Sequence, residues 1–243
     1  MSKIILSLFT VFILVSSVGY FYEKAPEPVC NFVQNKSKQR VSWGNNFPIK
    51  FKVHSSVPYD ALESIRKAAQ VWNSISKKDL IHIVDVHSDA RFSMYDKING
   101  IYWSETWSKH NEKEQARTTI RWKKNTAISA DIIVNNKNFE FFFMDQESSM
   151  DKVDFLGMMV HEFGHALGLA HVSHHHLSVM YPVLPKGLER RMNNNFNILH
   201  DVDLKSFKCE YAELFDEPND SLEHKVVEKE DHESHINSSS HSL

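Results

Sequence analysis

The chain has 243 residues, 42% hydrophobic and 24% charged, the make-up of an ordinary folded protein with one substantial domain and extra segments at its ends. Its net charge is −3, but residues 213–243 hold nine acidic residues against two lysines, so residues 1–212 come to about +4 without a concentrated basic run. That distribution lacks the electrostatic footprint of a nucleic-acid binder.

Residues 1–22 read as an export signal: Lys3 precedes an apolar run at 4–15, and Ser16, Ser17 and Gly19 offer small residues for cleavage. An uncleaved membrane anchor is the alternative, because the apolar stretch is almost long enough to span a bilayer; the serines and glycine favour cleavage. Either way the rest of the chain is exported. Residues 23–40 are polar, contain Pro26 and Pro28, and read as a linker too short for a folded inhibitory prodomain. The main domain is expected over 41–212. Residues 47–53 alternate Phe47, Ile49, Phe51 and Val53 with Pro48, Lys50 and Lys52, a half-buried strand. Residues 59–76 place Leu62, Ile65, Ala69 and Trp72 on one face of a helix, with Trp72 as core. Strands follow at 80–86, 99–103, 118–122 and 132–135, and the aromatic-rich stretch 138–144 is expected as the edge strand. A helix over 151–167, capped by Asp151 or Asp154, and a last helix over 200–211 complete an α+β domain. No internal repeat is visible. The tail 213–243 is charged, rich in Ser and His and poor in apolar residues, so disorder is expected there. Its histidines, His224, His232, His235 and His241, read as solvated.

The chemistry concentrates in the penultimate helix. His161 and His165 stand four residues apart, so both imidazoles project from one face, the spacing two ligands of one metal ion need. Gly168 sits where the helix must stop, tolerates a left-handed turn, and lets the chain swing His171 back toward the pair. Three neutral imidazoles with an open fourth position make a catalytic zinc site rather than a closed structural one. Glu162 lies beside the first ligand, placed to take a proton from a zinc-activated water. A cluster of hydrogen-bonded histidines on an apolar helix is the plainer alternative, but it has no reason to reproduce ligand spacing.

His161-Glu162-Phe163-Gly164-His165-Ala166-Leu167-Gly168-Leu169-Ala170-His171, followed by Val179-Met180-Tyr181-Pro182, resembles the signature of the metzincin metallopeptidases, and most of all their matrixin branch, the matrix metalloproteinase relatives. The resemblance extends over roughly 41–211, including the opening at 43–58, the strand phrase at 128–135 and the last helix. It implies a metzincin-type α+β catalytic domain with a twisted, mostly parallel five-stranded sheet, an antiparallel edge strand and three main helices. It further implies one catalytic zinc on His161, His165 and His171, with Glu162 as general base. Met180 becomes the hydrophobic base beneath the metal, and Asp203 the acidic residue that supports this turn from below. Tyr181, Pro182, Val183 and Leu184 become the outer wall of the substrate pocket, with Leu184 standing where matrixins usually have tyrosine. Residues 187–197 form the loop closing that pocket, where Arg190 and Arg191 are either solvated or turned to acidic substrate side chains. The polypeptide substrate then lies extended between wall and sheet edge, adding a strand. Animal matrixins also carry calcium and a second, structural zinc in glycine- and aspartate-rich loops. Here residues 101–156 contain no glycine and one histidine, His110, so neither is expected.

Cys30 and Cys209 are the only cysteines. In an exported protein a disulfide between them, tying the two ends of the domain, is the leading reading. A Cys30 thiolate in the open zinc position is an alternative, but the matrixin propeptide motif of Pro-Arg-Cys-Gly type is missing around Glu27-Pro28-Val29-Cys30-Asn31-Phe32. No lipobox precedes Cys30 either. His174-His175-His176 reads as an exposed polar loop rather than a second metal site, because adjacent residues cannot all face one ion. The expectation is thus an exported, monomeric zinc endopeptidase acting on extended polypeptide. A membrane-anchored processing enzyme with one dedicated substrate, and a non-catalytic zinc-binding protein on the same fold, are the rivals. Binding alone requires no Glu162.

Overall fold

The alternating pattern at 47–53 forms strand β1, Ile49–His54, in which Ile49, Phe51 and Val53 are buried and Lys50 is exposed. This computed structural model describes residues 30–88, 96–144, 146–187 and 198–216; the expected leader at 1–22 and nearly all of the acidic tail lie outside them. Helix α1, Ala61–Asn73, buries Ile65, Ala69 and Trp72 as its three- and four-residue spacing requires. Trp72 is a core residue, and its indole N–H donates to the Val160 carbonyl at 2.8 Å. Strands β2 (Ile81–Ser88), β3 (Asn99–Ser104), β4 (Ala116–Lys123) and β5 (Thr126–Asn135) complete the main sheet.

The sheet has five strands in the order β2-β1-β3-β5-β4. β1 runs parallel to β2 and β3, and β3 parallel to β5, whereas β4 pairs antiparallel with β5 and forms the edge. Helices α1, α2 (Phe155–Ala166) and α3 (Asp201–Tyr211) make this the α+β domain expected, with three helices and one antiparallel edge. The position of that edge differs from the expectation. Of the stretch 138–144 only β6, Phe141–Phe142, is strand, and it pairs parallel with β7, Val153–Asp154, in a separate two-stranded sheet. Phe141 and Phe142 are adjacent yet both buried, which a half-solvated edge cannot provide. Phe141 and Phe143 instead pack around Phe155, at ring separations of 5.6 and 5.3 Å, with Trp103 5.3 Å from Phe141. Because Val153 and Asp154 belong to that short ladder, α2 starts at Phe155, four residues later than the sequence suggested.

Both ends of the domain reach further than 41 and 212. Phe32 is buried and bridges to Leu169, Val33 N–H donates to the Gly168 carbonyl at 2.9 Å, and Ala170 N–H donates to the Asn31 carbonyl at 2.9 Å. A disulfide joins Cys30 to Cys209 on α3. Downstream, Leu214 and Phe215 are buried, and Asp216 N–H donates to the Ile75 carbonyl at 2.9 Å. Among the described residues no helix is long and apolar enough to cross a membrane. Inside the sheet, Asp131 of β5 is buried against Arg121 (3.3 Å) and accepts from Gly100 N–H at 3.1 Å. Burial pushes its carboxyl up to about 6, against the lowering pull of the Gly100 hydrogen bond and the Arg121 charge.

Candidate active site

The apolar helix α2 is buried on nearly all sides, and its half-open residues include His161 and His165. Its C-terminus is held from two directions. The Trp43 indole N–H donates to the Ala166 carbonyl at 2.7 Å. The Tyr211 hydroxyl donates to the Leu167 carbonyl at 2.8 Å while accepting from Trp43 N–H at 3.1 Å. Burial raises the Tyr211 phenol far above its ordinary value, so it stays a neutral donor there. These contacts supply partners to carbonyls that a helix end leaves unpaired.

Gly168 then turns the chain, with φ of +103°. A side chain here meets two obstacles besides the left-handed backbone: a Cβ would lie 2.7 Å from the Val41 carbonyl oxygen and 2.9 Å from the Phe32 ring. The N-terminal segment thus crosses directly over the turn that returns His171 to the helix. His165 Nε2 lies 3.1 Å from His171 Nε2, which lies 3.3 Å from His161 Nε2.

The other ring nitrogens of the two helix histidines have carbonyl partners: His161 Nδ1 donates to Val179 O at 2.7 Å and His165 Nδ1 to Leu169 O at 2.9 Å. Those bonds place the protons on Nδ1 and leave Nε2 lone pairs converging on one another. Burial lowers the pKa of His165 and of His171, and the neighbouring His165 lowers His171 further, so both stay neutral. With His171 in the same tautomer, three lone pairs at this spacing suit a shared cation. Zn–N bonds of about 2.0–2.1 Å in tetrahedral geometry separate ligand nitrogens by about 3.3 Å, so the set fits zinc.

Glu162 is 5% exposed and opens onto the same cleft. Burial pushes its carboxyl up to about 7, Glu114 adds to the rise, and hydrogen bonds with Thr118 oppose it. The cleft has a volume of about 780 Å³. Its floor is His161, Glu162, His165, His171 and Met158; residues 109–118 form one rim and 181–184 the other. Tyr181, Pro182, Val183 and Leu184 therefore all face it, and Gln115 of the opposite rim reaches across to donate to the Leu184 carbonyl at 2.6 Å.

Met180 is fully buried beneath the helix rather than in the cleft, with its sulfur lodged against Gly164. The turn carrying it is pinned by buried Asp203, which accepts from Ser178 Oγ (2.5 Å), Val179 N–H (3.0 Å) and His200 N–H (2.9 Å). Val179 in turn orients His161, so Asp203 reaches the histidine trio through one backbone residue. Of the loop histidines, His174 and His176 are exposed, while His175 packs on His200 at 4.3 Å between ring centroids; none joins the trio. Residues 188–197, with Arg190 and Arg191, lie outside the described residues. Sequence reasoning missed Thr118 and Gln115, whose only signal was membership of a polar, β-prone stretch next to the cleft.

The profile of the Matrixin family matches residues 42–212. Among solved structures, the chain is similar to high choriolytic enzyme 1, a hatching enzyme zinc-protease from Oryzias latipes (medaka fish). Identity is 13%, covering 76% of this chain and 96% of that chain, with a TM-score of 0.36. Among curated proteins none matches.

Proposed function

The chain belongs to the matrixin family of zinc metalloendopeptidases, and on that footing we propose that it is an exported enzyme cutting extended polypeptide, with His161, His165 and His171 holding one zinc ion and Glu162 as general base. The observation that carries this reading is the convergence of the Nε2 atoms of His161, His165 and His171 on the floor of a cleft, beside a buried carboxylate.

Zinc, when bound, polarises a scissile carbonyl and lowers the pKa of a water from 15.7 to about 7. Glu162 takes the proton from the attacking water and returns it to the departing amine. Its raised pKa suits both transfers near neutrality, because a carboxyl poised near the working pH gives up and recovers a proton readily. The Val179 and Leu169 carbonyls fix the ring orientation of His161 and His165 and keep each in the tautomer that offers Nε2. Among the described residues strand β4 has β5 as its one sheet neighbour, so its outer edge suits an incoming peptide. A substrate strand added there lies opposite the 181–184 rim, which receives the side chains around the cut bond. Export is supported by the apolar run at 4–15 and by the Cys30–Cys209 disulfide.

The test is cleavage of an unstructured protein such as casein, with and without a chelator, alongside metal analysis and the Glu162→Ala protein. We expect one zinc per chain in both proteins and chelator-sensitive cleavage in the parent only, at least about 10²-fold above the variant. Loss of zinc from Glu162→Ala overturns the assignment of Glu162 as base rather than ligand. Zinc-loaded parent protein that cuts nothing overturns the peptidase reading.

A further inference from the structure

We propose that Thr118 is a positioning residue for Glu162, so that the strand receiving the substrate also aims the catalytic base; this rests on the peptidase reading above. Thr118 lies in β4, opposite Ile132 of β5, at the rim of the cleft. Its hydroxyl lies 2.5 Å from Glu162 Oε2 and 3.1 Å from the Glu162 main-chain carbonyl, 44 residues away in sequence. One hydroxyl proton serves one strong bond, and the shorter contact assigns it to the carboxylate. A hydroxyl donating to a carboxylate makes a short, charge-assisted bond that fixes the acceptor's rotamer. Held by the Thr118 hydroxyl at Oε2, the carboxylate keeps one orientation from which to collect a proton from the water. A side chain with two further torsions, in a cleft that must also admit substrate, is otherwise free to swing away from the reacting atoms. Misplacement by about 1 Å is enough to cost large factors in rate.

The arrangement links binding to chemistry. A peptide that pairs with the outer edge of β4 stiffens the strand carrying Thr118, and Thr118 holds the base. Strand addition and proton abstraction are thereby coupled through one hydroxyl.

Thr118→Val keeps shape and β-propensity while deleting the donor; Thr118→Ser keeps the donor. With zinc content matched to the parent, Thr118→Val should lower kcat on a casein-derived fluorogenic peptide by about tenfold, with KM unchanged within about twofold, and Thr118→Ser should recover most of the loss. A merely structural residue would lower the folded or zinc-loaded fraction and leave kcat per loaded molecule alone. Crystal structures of the zinc-free parent and Thr118→Val proteins give a reading independent of turnover: the Glu162 carboxylate should adopt one rotamer in the parent and move or split in the variant. An unmoved carboxylate, or kcat equal to the parent's, overturns the proposal. A parent that cuts nothing, alongside a carboxylate that does move, supports the positioning role and sinks the peptidase reading instead.

Discussion

Gly164, between the two helix histidines, should respond to substitution with a sign that depends on Met180. Alanine in a helix interior is favoured over glycine by about 1 kcal/mol. Here, however, a Cβ would meet Met180 Sδ at 2.3 Å and Trp72 Cζ2 at 3.0 Å. Met180 is fully buried and its sulfur, at 2.3 Å, has to shift, whereas the 3.0 Å approach to Trp72 asks its ring to give by only a few tenths of an ångström. Overpacking of this kind costs about 1–3 kcal/mol, which leaves Gly164→Ala neutral to destabilising by about 2 kcal/mol. Met180→Ala alone opens a cavity and should cost about 2–5 kcal/mol. In that background the new methyl enters vacated space, and Gly164→Ala should become stabilising by up to about 1 kcal/mol. The coupling between the two sites is then about 1–3 kcal/mol. Urea denaturation of the four proteins measures it, run with excess chelator so that metal binding to the folded state does not enter. Additivity within about 0.5 kcal/mol, or a stabilised single Gly164→Ala protein, would refute the packing argument.

Two further outcomes follow from buried carboxylates. Asp203→Ala should weaken zinc binding about 10- to 100-fold, since Asp203 orients His161 through Val179; competition against a chromophoric chelator checks this, and unchanged affinity contradicts it. Asp131 has its pKa raised from 3.8 to about 6, so its contribution to stability is fully present below about pH 4 and lost as pH rises through 6. Asp131→Asn lacks that titration and should gain on the parent by up to about 3 kcal/mol between pH 4 and 7, on top of a fixed offset from losing the Arg121 pair. Denaturation midpoints across that range test it, and a constant difference rules it out.

The convergence of His161, His165 and His171 was legible because it is local. Histidines four apart on a helix, and a glycine where the helix stops, constrain one another within about three turns. The α1 face and the β1 alternation were readable for the same reason. The edge strand was not. Residues 138–144 carry the composition of a strand, and only the pairing of distant segments, such as Ile101 of β3 with Ile132 of β5, puts β5 inside the sheet and leaves its hairpin partner β4 at the edge. Aromatic side chains there serve the cluster around Phe155, which period alone does not distinguish from a sheet face. Residues 30–40 read as linker because much of their docking runs through main-chain groups, such as Val33 N–H to the Gly168 carbonyl, and main-chain bonds leave no mark in composition. Thr118 escaped notice for a related reason, since its partner is 44 residues away.

The bond between Cys30 and Cys209 has a consequence for an enzyme that lives among copies of itself. Self-digestion begins at exposed loops, and the stretches near Glu112 and His174 are open to it. Any single cut between the two cysteines, which are 179 residues apart, leaves both fragments covalently joined. The pieces then stay at high effective concentration, and re-docking is intramolecular. The half-life of activity should therefore outlast the half-life of the intact chain, and the nicked enzyme should run as one band until its disulfide is reduced.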